Sequence, residues 1–147
     1  SYFEMCGLAP SRVLASLIRQ ESLFSAAATS SADARGLTQV IPSTAKGIAT
    51  ALGTRDFRLT DLYRPRLSLQ FGAYYLSEML RLTKGDVSMA LASYNGGYGN
   101  AVRWAGGETA IDPDLFLENV TYSETQSYLQ AVGRNLRYYR VLYGSAP

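Results

Sequence analysis

With no histidine and a single cysteine, Cys6, any chemistry done by this 147-residue chain rests on carboxylates, hydroxyls, amides and aromatic rings. That excludes Ser-His-Asp and Cys-His catalysis, intrachain disulfides and the usual Cys/His zinc sites. Among the carboxylates Glu21 stands out by position. It follows Leu17 by four residues and Ile18 by three, on the apolar side of a helical pattern. A carboxyl there is partly desolvated, which disfavours its charged form and raises its pKa. A carboxylic acid still protonated near neutral pH can protonate a leaving oxygen, as glycosidic cleavage requires. The spacing equally allows a glutamate at a fraying helix end, turned to water or held by Arg19 or Arg35.

The other groups with chemical potential are spread along the chain. Ser30 lies in a polar, small-residue stretch from Ser25 to Gly36 and, taken alone, is a turn former. Gln39 can bond loop backbone or offer an amide to a ligand, and Ile41 can pack in a core or wall a groove. Tyr94 is one of 11 tyrosines, most of which should be packing residues with a wet tip. Asn95 opens an Asn-Gly-Gly turn. Glu118 and Tyr122 come late in the chain. A second carboxyl such as Glu118 would change the chemistry if it came close to Glu21. Pairs roughly 5–5.5 Å apart serve retaining glycosidases and pairs roughly 6.5–9.5 Å apart inverting ones.

The elements that must position these groups read as helices almost throughout. Val13, Leu14, Leu17 and Ile18 have amphipathic spacing, with Ser11 as a candidate N-cap after Pro10. Pro42 suits the first turn of a short helix running to Leu52 and closed by Gly53. From Pro65, the residues Leu69, Gly72, Tyr75, Leu76, Met79 and Leu80 mark a longer helix. Another spans Val87 to Tyr94 and stops at Asn95-Gly96-Gly97. Asp112 to Leu117 suggests a short helix. Ser123 with Gln126 resembles a capping box, opening a last helix with Tyr128, Val132, Leu136 and Tyr139 on one face. No period-2 alternation is sustained, so the expectation is a mainly α fold with little or no sheet, forming a single domain over residues 1–147.

A hydrophobic content of 47% is ordinary for a globular chain, and the net charge of +2 is small. Arg134, Arg137 and Arg140 recur at three-residue spacing, most simply as a solvated helix face. No case for nucleic acid arises. No apolar run approaches the roughly 20 residues of a membrane span. Nothing calls for a metal or other cofactor, and oligomeric state is not readable. The start at Ser1, without methionine or apolar leader, suggests a piece of a longer protein, in which any targeting signal would lie upstream.

Four ordered stretches carry more than composition does. They are Glu21-Ser22 with Ser30 behind it, Ala34 to Pro42, Ala92 to Gly97, and Glu118 to Thr125. Together they resemble the lysozyme-like lytic transglycosylases of the soluble type, over roughly residues 10 to 143. That family has a Glu-Ser pair ending a helix, then a Gly-Leu-Met-Gln-like segment before Pro, a Tyr-Asn-Ala-Gly-like turn and a late Glu-x-x-Pro-Tyr-x-Glu-Thr. The resemblance implies a lysozyme-like helical domain with a substrate groove, in which Glu21 is the acid/base. It implies that Ser30, Gln39, Ile41, Tyr94, Asn95, Glu118 and Tyr122 line the groove, with the Tyr94 hydroxyl near the catalytic carboxyl. Peptidoglycan strands would be cut between N-acetylmuramic acid and N-acetylglucosamine without water, leaving 1,6-anhydro ends, outside the cytoplasm. Thr38 stands where Met is usual, Arg64 for Asp, Ser68 for Asn and Thr121 for Pro, the last bearing on the placement of Tyr122. Two rivals stay open. One is a goose-type-lysozyme-like hydrolase of peptidoglycan or chitin, with Asp33, Asp56 or Asp61 positioning water. The other is a non-catalytic glycan-binding module.

Overall fold

The computed structural model describes residues 10–108 and 112–144. In chain order the helices are α1 (Pro10–Ser22), α2 (Pro42–Ala51), α3 (Pro65–Leu82), α4 (Val87–Gly96), α5 (Tyr98–Ala105), α6 (Pro113–Asn119) and α7 (Ser123–Tyr143), with a 3-10 turn at Leu59–Tyr63 before α3. Among the described residues the only β pairing is two isolated bridges, Thr29 with Arg35 and Arg35 with Val40, inside the loop between α1 and α2.

α4 is the axis around which the rest packs. Its residues Met89 to Tyr94 are all buried, because α3, α5 and α7 contact it from different sides. A helix apolar all round belongs in a core rather than on a surface. One core cluster joins α1 (Val13, Leu17, Ile18), α3 (Leu76, Met79, Leu80), α4 (Leu91, Tyr94) and α7 (Tyr128, Val132). A second gathers Ala45 and Ile48 of α2 with Leu62 and Phe71. A third sets Trp104 of α5 and Phe116 of α6 against Met89. Leu17, Leu76 and Phe71 are wholly buried, so truncating any one to alanine should cost about 2–5 kcal/mol.

Several local expectations change. Pro10 already belongs to α1, so Ser11 stands inside the helix rather than at the N-cap. α7 likewise begins at Ser123 with Tyr122 as N-cap and no side-chain cap, and Gln126 instead donates to the Leu117 carbonyl of α6 at 3.3 Å. α4 continues through Asn95 and Gly96 and ends only at Gly97, whose φ of 91° breaks the helix. The helix α5 and the 3-10 turn were not expected from the pattern. Arg134, Arg137 and Arg140 are exposed on α7, as a solvated face requires.

Candidate active site

Glu21 ends the first helix, and its neighbour explains why that end stays put. The Ser22 hydroxyl reaches the Ile18 carbonyl at 3.2 Å and the Leu37 carbonyl at 2.9 Å, tying the helix terminus to the following loop. The chain then passes through two consecutive left-handed residues, Leu23 (φ 50°) and Phe24 (φ 63°). Such backbone is rare for non-glycine residues. Both side chains stand out in solvent, at 79% and 53% exposure.

The loop is held by its own hydrogen bonds. The Ala28 carbonyl accepts from the Gly36 N–H at 2.9 Å and from the Gln39 amide nitrogen at 3.0 Å; the same nitrogen donates to the Gly36 carbonyl at 2.9 Å. Two carbonyl partners identify that end of Gln39 as the NH2, which leaves its oxygen available to a ligand. The Ser30 hydroxyl accepts from the Ala32 and Ala34 N–H groups at 3.2 and 3.1 Å, a turn-forming role. Gly36 has φ 76°, and a Cβ there would meet the Leu62 carbonyl oxygen at 2.0 Å, so only glycine fits.

Beneath the loop lies a buried polar relay. Thr38 and Ser68, two positions that differ from the family pattern, touch each other. The Thr38 hydroxyl donates to the Ser68 carbonyl at 2.8 Å, and the Ser68 hydroxyl accepts from the Thr38 N–H at 3.3 Å. Both residues are fully buried, and Gly72 leaves room for them; a Cβ on it would lie 2.3 Å from the Thr38 side chain. The Thr38 carbonyl in turn accepts from the Tyr94 hydroxyl at 2.8 Å. The Tyr94 proton is therefore engaged by Thr38, not by Glu21.

At the end of α4, the buried Thr125 hydroxyl donates to the Asn95 side-chain oxygen at 2.8 Å, which leaves the Asn95 NH2 as a donor. Tyr122 is 47% exposed and packs edge-on against Trp104, with ring centroids 5.0 Å apart. The Trp104 N–H donates to the Thr121 hydroxyl at 2.9 Å. Thr121 thus anchors the ring that seats Tyr122, a contact proline could not make.

These parts surround a groove of about 420 Å³, walled by Glu21, Ser30, Gln39 and Ile41, by Tyr75, Tyr94 and Asn95, and by Glu124. An adjoining hollow runs on from Asn95, Gly96 and Glu124 to Thr121 and Tyr122. The structure does not bring Glu118 there: it is exposed on α6 and lines neither concavity. The second carboxylate of the groove is Glu124, first turn of α7, in the same late segment. Asp33 is paired with Arg35 at 2.8 Å, Asp61 caps the 3-10 turn through the Arg58 N–H, and Asp56 is exposed; none of them lines the groove. By spacing alone Tyr75 and Tyr128 are indistinguishable from packing residues, yet Tyr75 lines the groove and Tyr128 acts on the Glu21 carboxyl.

Burial lifts the Glu21 pKa from 4.5 to about 7, opposed by the Tyr128 hydroxyl and assisted by the negative charge of Glu124. The residue keeps some contact with the groove while its carboxyl is largely withdrawn from water. No cation pairs with it among the described residues. Burial first, then the charge of Glu21, pushes the Tyr94 and Tyr128 phenols well above their ordinary range, so both stay protonated. Tyr94 lies against Tyr75 with centroids 4.9 Å apart. A carboxyl that keeps its proton near neutrality is a donor for acid-assisted bond cleavage. On an all-helical framework with an open groove, this marks a candidate general acid aimed at a bound polymer.

The sequence model of the transglycosylase SLT domain matches residues 7–116, and the chain belongs to that family. It is 31% identical over 130 residues to the soluble lytic murein transglycosylase of Salmonella typhimurium, covering 87% of this chain and 20% of that protein. It is 33% identical over 109 residues to the transglycosylase of Enterobacteria phage PRD1, covering 74% of this chain and 37% of that one. Its fold superposes on an inactive glutamate-to-glutamine mutant of the lytic transglycosylase Slt from Pseudomonas aeruginosa. The TM-score is 0.87 at 28% identity, over 99% of this chain and 24% of the other. The chain thus spans about a fifth of the length of its first curated relatives. No helix among the described residues is long and apolar enough to cross a membrane.

Proposed function

We propose that residues 1–147 form one catalytic unit. It would cleave the glycosidic bond between N-acetylmuramic acid and N-acetylglucosamine in peptidoglycan, outside the cytoplasm, leaving 1,6-anhydromuramoyl ends. The observation that carries this is the Glu21 carboxyl, desolvated at the groove and raised to about 7, with no cation paired to it among the described residues. The names of the relatives, and the inactivity of a glutamate-to-glutamine variant of one of them, support the same reading.

In the first step Glu21 gives its proton to the glycosidic oxygen as the bond to the muramoyl C1 breaks, and positive charge grows on the sugar ring. The Glu21 carboxylate then takes the proton of the muramoyl C6 hydroxyl while that oxygen bonds C1. One proton leaves Glu21 and one returns, and no water is consumed. Because the nucleophile belongs to the substrate, intramolecular attack replaces a positioned water. The Asn95 NH2 and the Gln39 oxygen offer a donor and an acceptor to the sugar's N-acetyl and hydroxyl groups. Ser30 and Ile41 wall the same groove, and Tyr122 offers a ring face to C–H surfaces farther along.

A hydrolytic reading is favoured by one observation, the presence of Glu124 in the groove with Glu21. Mass spectrometry of digested peptidoglycan separates the two. Anhydro-muropeptides are the expected products, and products heavier by one water would overturn the non-hydrolytic route. Glu21→Gln should abolish cleavage while leaving the strand bound, with a loss of at least about two orders of magnitude in rate. Undiminished cleavage by that variant would overturn the assignment of the acid.

A further inference from the structure

Towards its end α7 turns apolar on its outward face. The inward face is set by Thr125, Tyr128 and Val132, which are buried against the rest of the fold. The opposite face runs through Ser127, Gln130, Arg134, Arg137, Tyr138 and Val141, at the three- and four-residue steps of one helical stripe. It begins polar, becomes basic and finishes apolar. Tyr138, Val141, Leu142 and Tyr143 are 63–82% exposed. Single exposed apolar residues are normal, but four large ones within a turn and a half mark an interaction surface. Arg134, Arg137, Tyr138 and Val141 line one open hollow of about 270 Å³. After Glu124 in its first turn the helix has no acidic residue, and no carboxylate pairs with Arg134, Arg137 or Arg140 among the described residues. Asp114 of α6 lines a separate hollow with Gly133 and Leu136, on the flank of α7. The same end of the helix is fitted for a dry contact. The last carbonyls of a helix lack intrahelical partners and are costly to withdraw from water. Here the Arg12 guanidinium of α1 donates to the Gly144 carbonyl and to the Tyr143 carbonyl, the latter at 3.2 Å.

We propose that this end of α7 docks on an anionic phospholipid surface, with Tyr138, Val141 and Leu142 among the headgroups and Arg134 and Arg137 on their phosphates. Arginine and apolar side chains in one helical stripe are the pairing that holds a helix at an interface, the first by charge and the second by burial. The arginine stems lie along apolar surface while the guanidiniums stay at the level of the phosphates. Chemistry decides against the other occupants. A second copy of the chain, docking face to face, would set arginine against arginine. A hydrated acidic polymer, glycan or nucleic acid, would reward the arginines but gain little from Val141 and Leu142, which offer no hydrogen bond. Glu124, at the groove, lies roughly 25 Å back along α7 from Val141 at the rise of an α-helix, so docking leaves the groove clear. The proposal is independent of the chemistry assigned to Glu21.

The test is flotation of the whole chain with vesicles of equal phosphatidylglycerol and phosphatidylcholine, against vesicles of phosphatidylcholine alone. The chain should float with the anionic vesicles at low salt, leave them as salt rises, and ignore the neutral ones. Arg134→Gln with Arg137→Gln should weaken partition about thirtyfold. Val141→Ser with Leu142→Ser should weaken it at least about tenfold. Arg134→Lys with Arg137→Lys keeps the charge and should retain most of the binding. All four positions are exposed, so each variant should melt within about 2 °C of the parent and cleave soluble glycan fragments as the parent does. No binding to either vesicle, equal binding to both, or undiminished binding after loss of Val141 and Leu142 would overturn the proposal. So would self-association abolished by the serine pair, which assigns the face to a second copy. Weaker retention on peptidoglycan in the glutamine pair, with vesicle binding unchanged, would assign it to an acidic polymer and overturn the proposal equally.

Discussion

Glu21→Gln swaps a carboxyl for an amide of the same shape, and the pH at which the swap changes stability follows from the surroundings of that carboxyl. Folding raises its pKa from 4.5 to about 7, mainly by burial. Below about pH 4.5 both the folded and the unfolded chain hold the proton, and the residue is neutral to stability. Between that value and about 7 the unfolded chain releases its proton while the folded one keeps it, so stability falls as pH rises; above about 7 the loss is complete. At about 1.4 kcal/mol per pH unit the penalty is capped near 3 kcal/mol, and groove water together with local relaxation brings it nearer about 2. Glutamine carries no such penalty. For a chain of this size, about 2–3 kcal/mol corresponds to a rise of roughly 6–10 °C in melting temperature. Thermal denaturation of both proteins at pH 4 and pH 8.5 checks this. The expected result is curves within about 2 °C of each other at pH 4, and a more stable, inactive variant at pH 8.5. An equal difference at both pH values, or a less stable variant at pH 8.5, would refute the argument that burial holds the proton on Glu21.

Two further expectations concern the framework. Ser68→Ala and Thr38→Val each break the buried relay under the loop, and a double-mutant cycle read by urea denaturation should give a coupling of about 1 kcal/mol. Additive effects would mean that the two residues do not act as a pair. Leu23→Gly should stabilise the chain by roughly 0.5–1 kcal/mol, because a highly exposed leucine at φ 50° gains little from packing and strains the backbone. A shift of the urea midpoint at constant slope measures it, and a shift toward lower urea would count against strain at that turn.

The parts of this protein governed by short-range periodicity were legible in the sequence. α1, α3 and α7 show an apolar stripe, and Glu21 could be placed on one of those stripes from spacing alone. α5 was hidden because it starts directly after the Asn95-Gly96-Gly97 turn signal, while its anchor Trp104 gains its meaning from Phe116 and Tyr122 on other elements. The two capping readings failed for one reason: Ser11 and Ser123 sit a step inside their helices, and helix starts are decided by dihedrals that residue type only biases. Glu118 and Glu124 lie in the same late segment, and the resemblance implies Glu118 for the groove, whereas Glu124 is the one that lines it. The choice is made where α6 ends at Asn119 and the chain turns through Val120 to Tyr122, bringing Glu124 to the groove. Tyr75 and Tyr128 carry the same limitation, since a tyrosine on an apolar face gives no hint of what its hydroxyl meets.

The docking of α7 against α1 has a consequence for how the protein comes into being. The chain makes Glu21 before Tyr128, and burial is the largest cause of the carboxyl's raised pKa. α7 packs against the helix that carries Glu21, so before it docks that end of α1 should be more open to water, with the carboxyl's pKa closer to 4.5. The readiness of the acid is thus tied to a contact between segments far apart in the sequence.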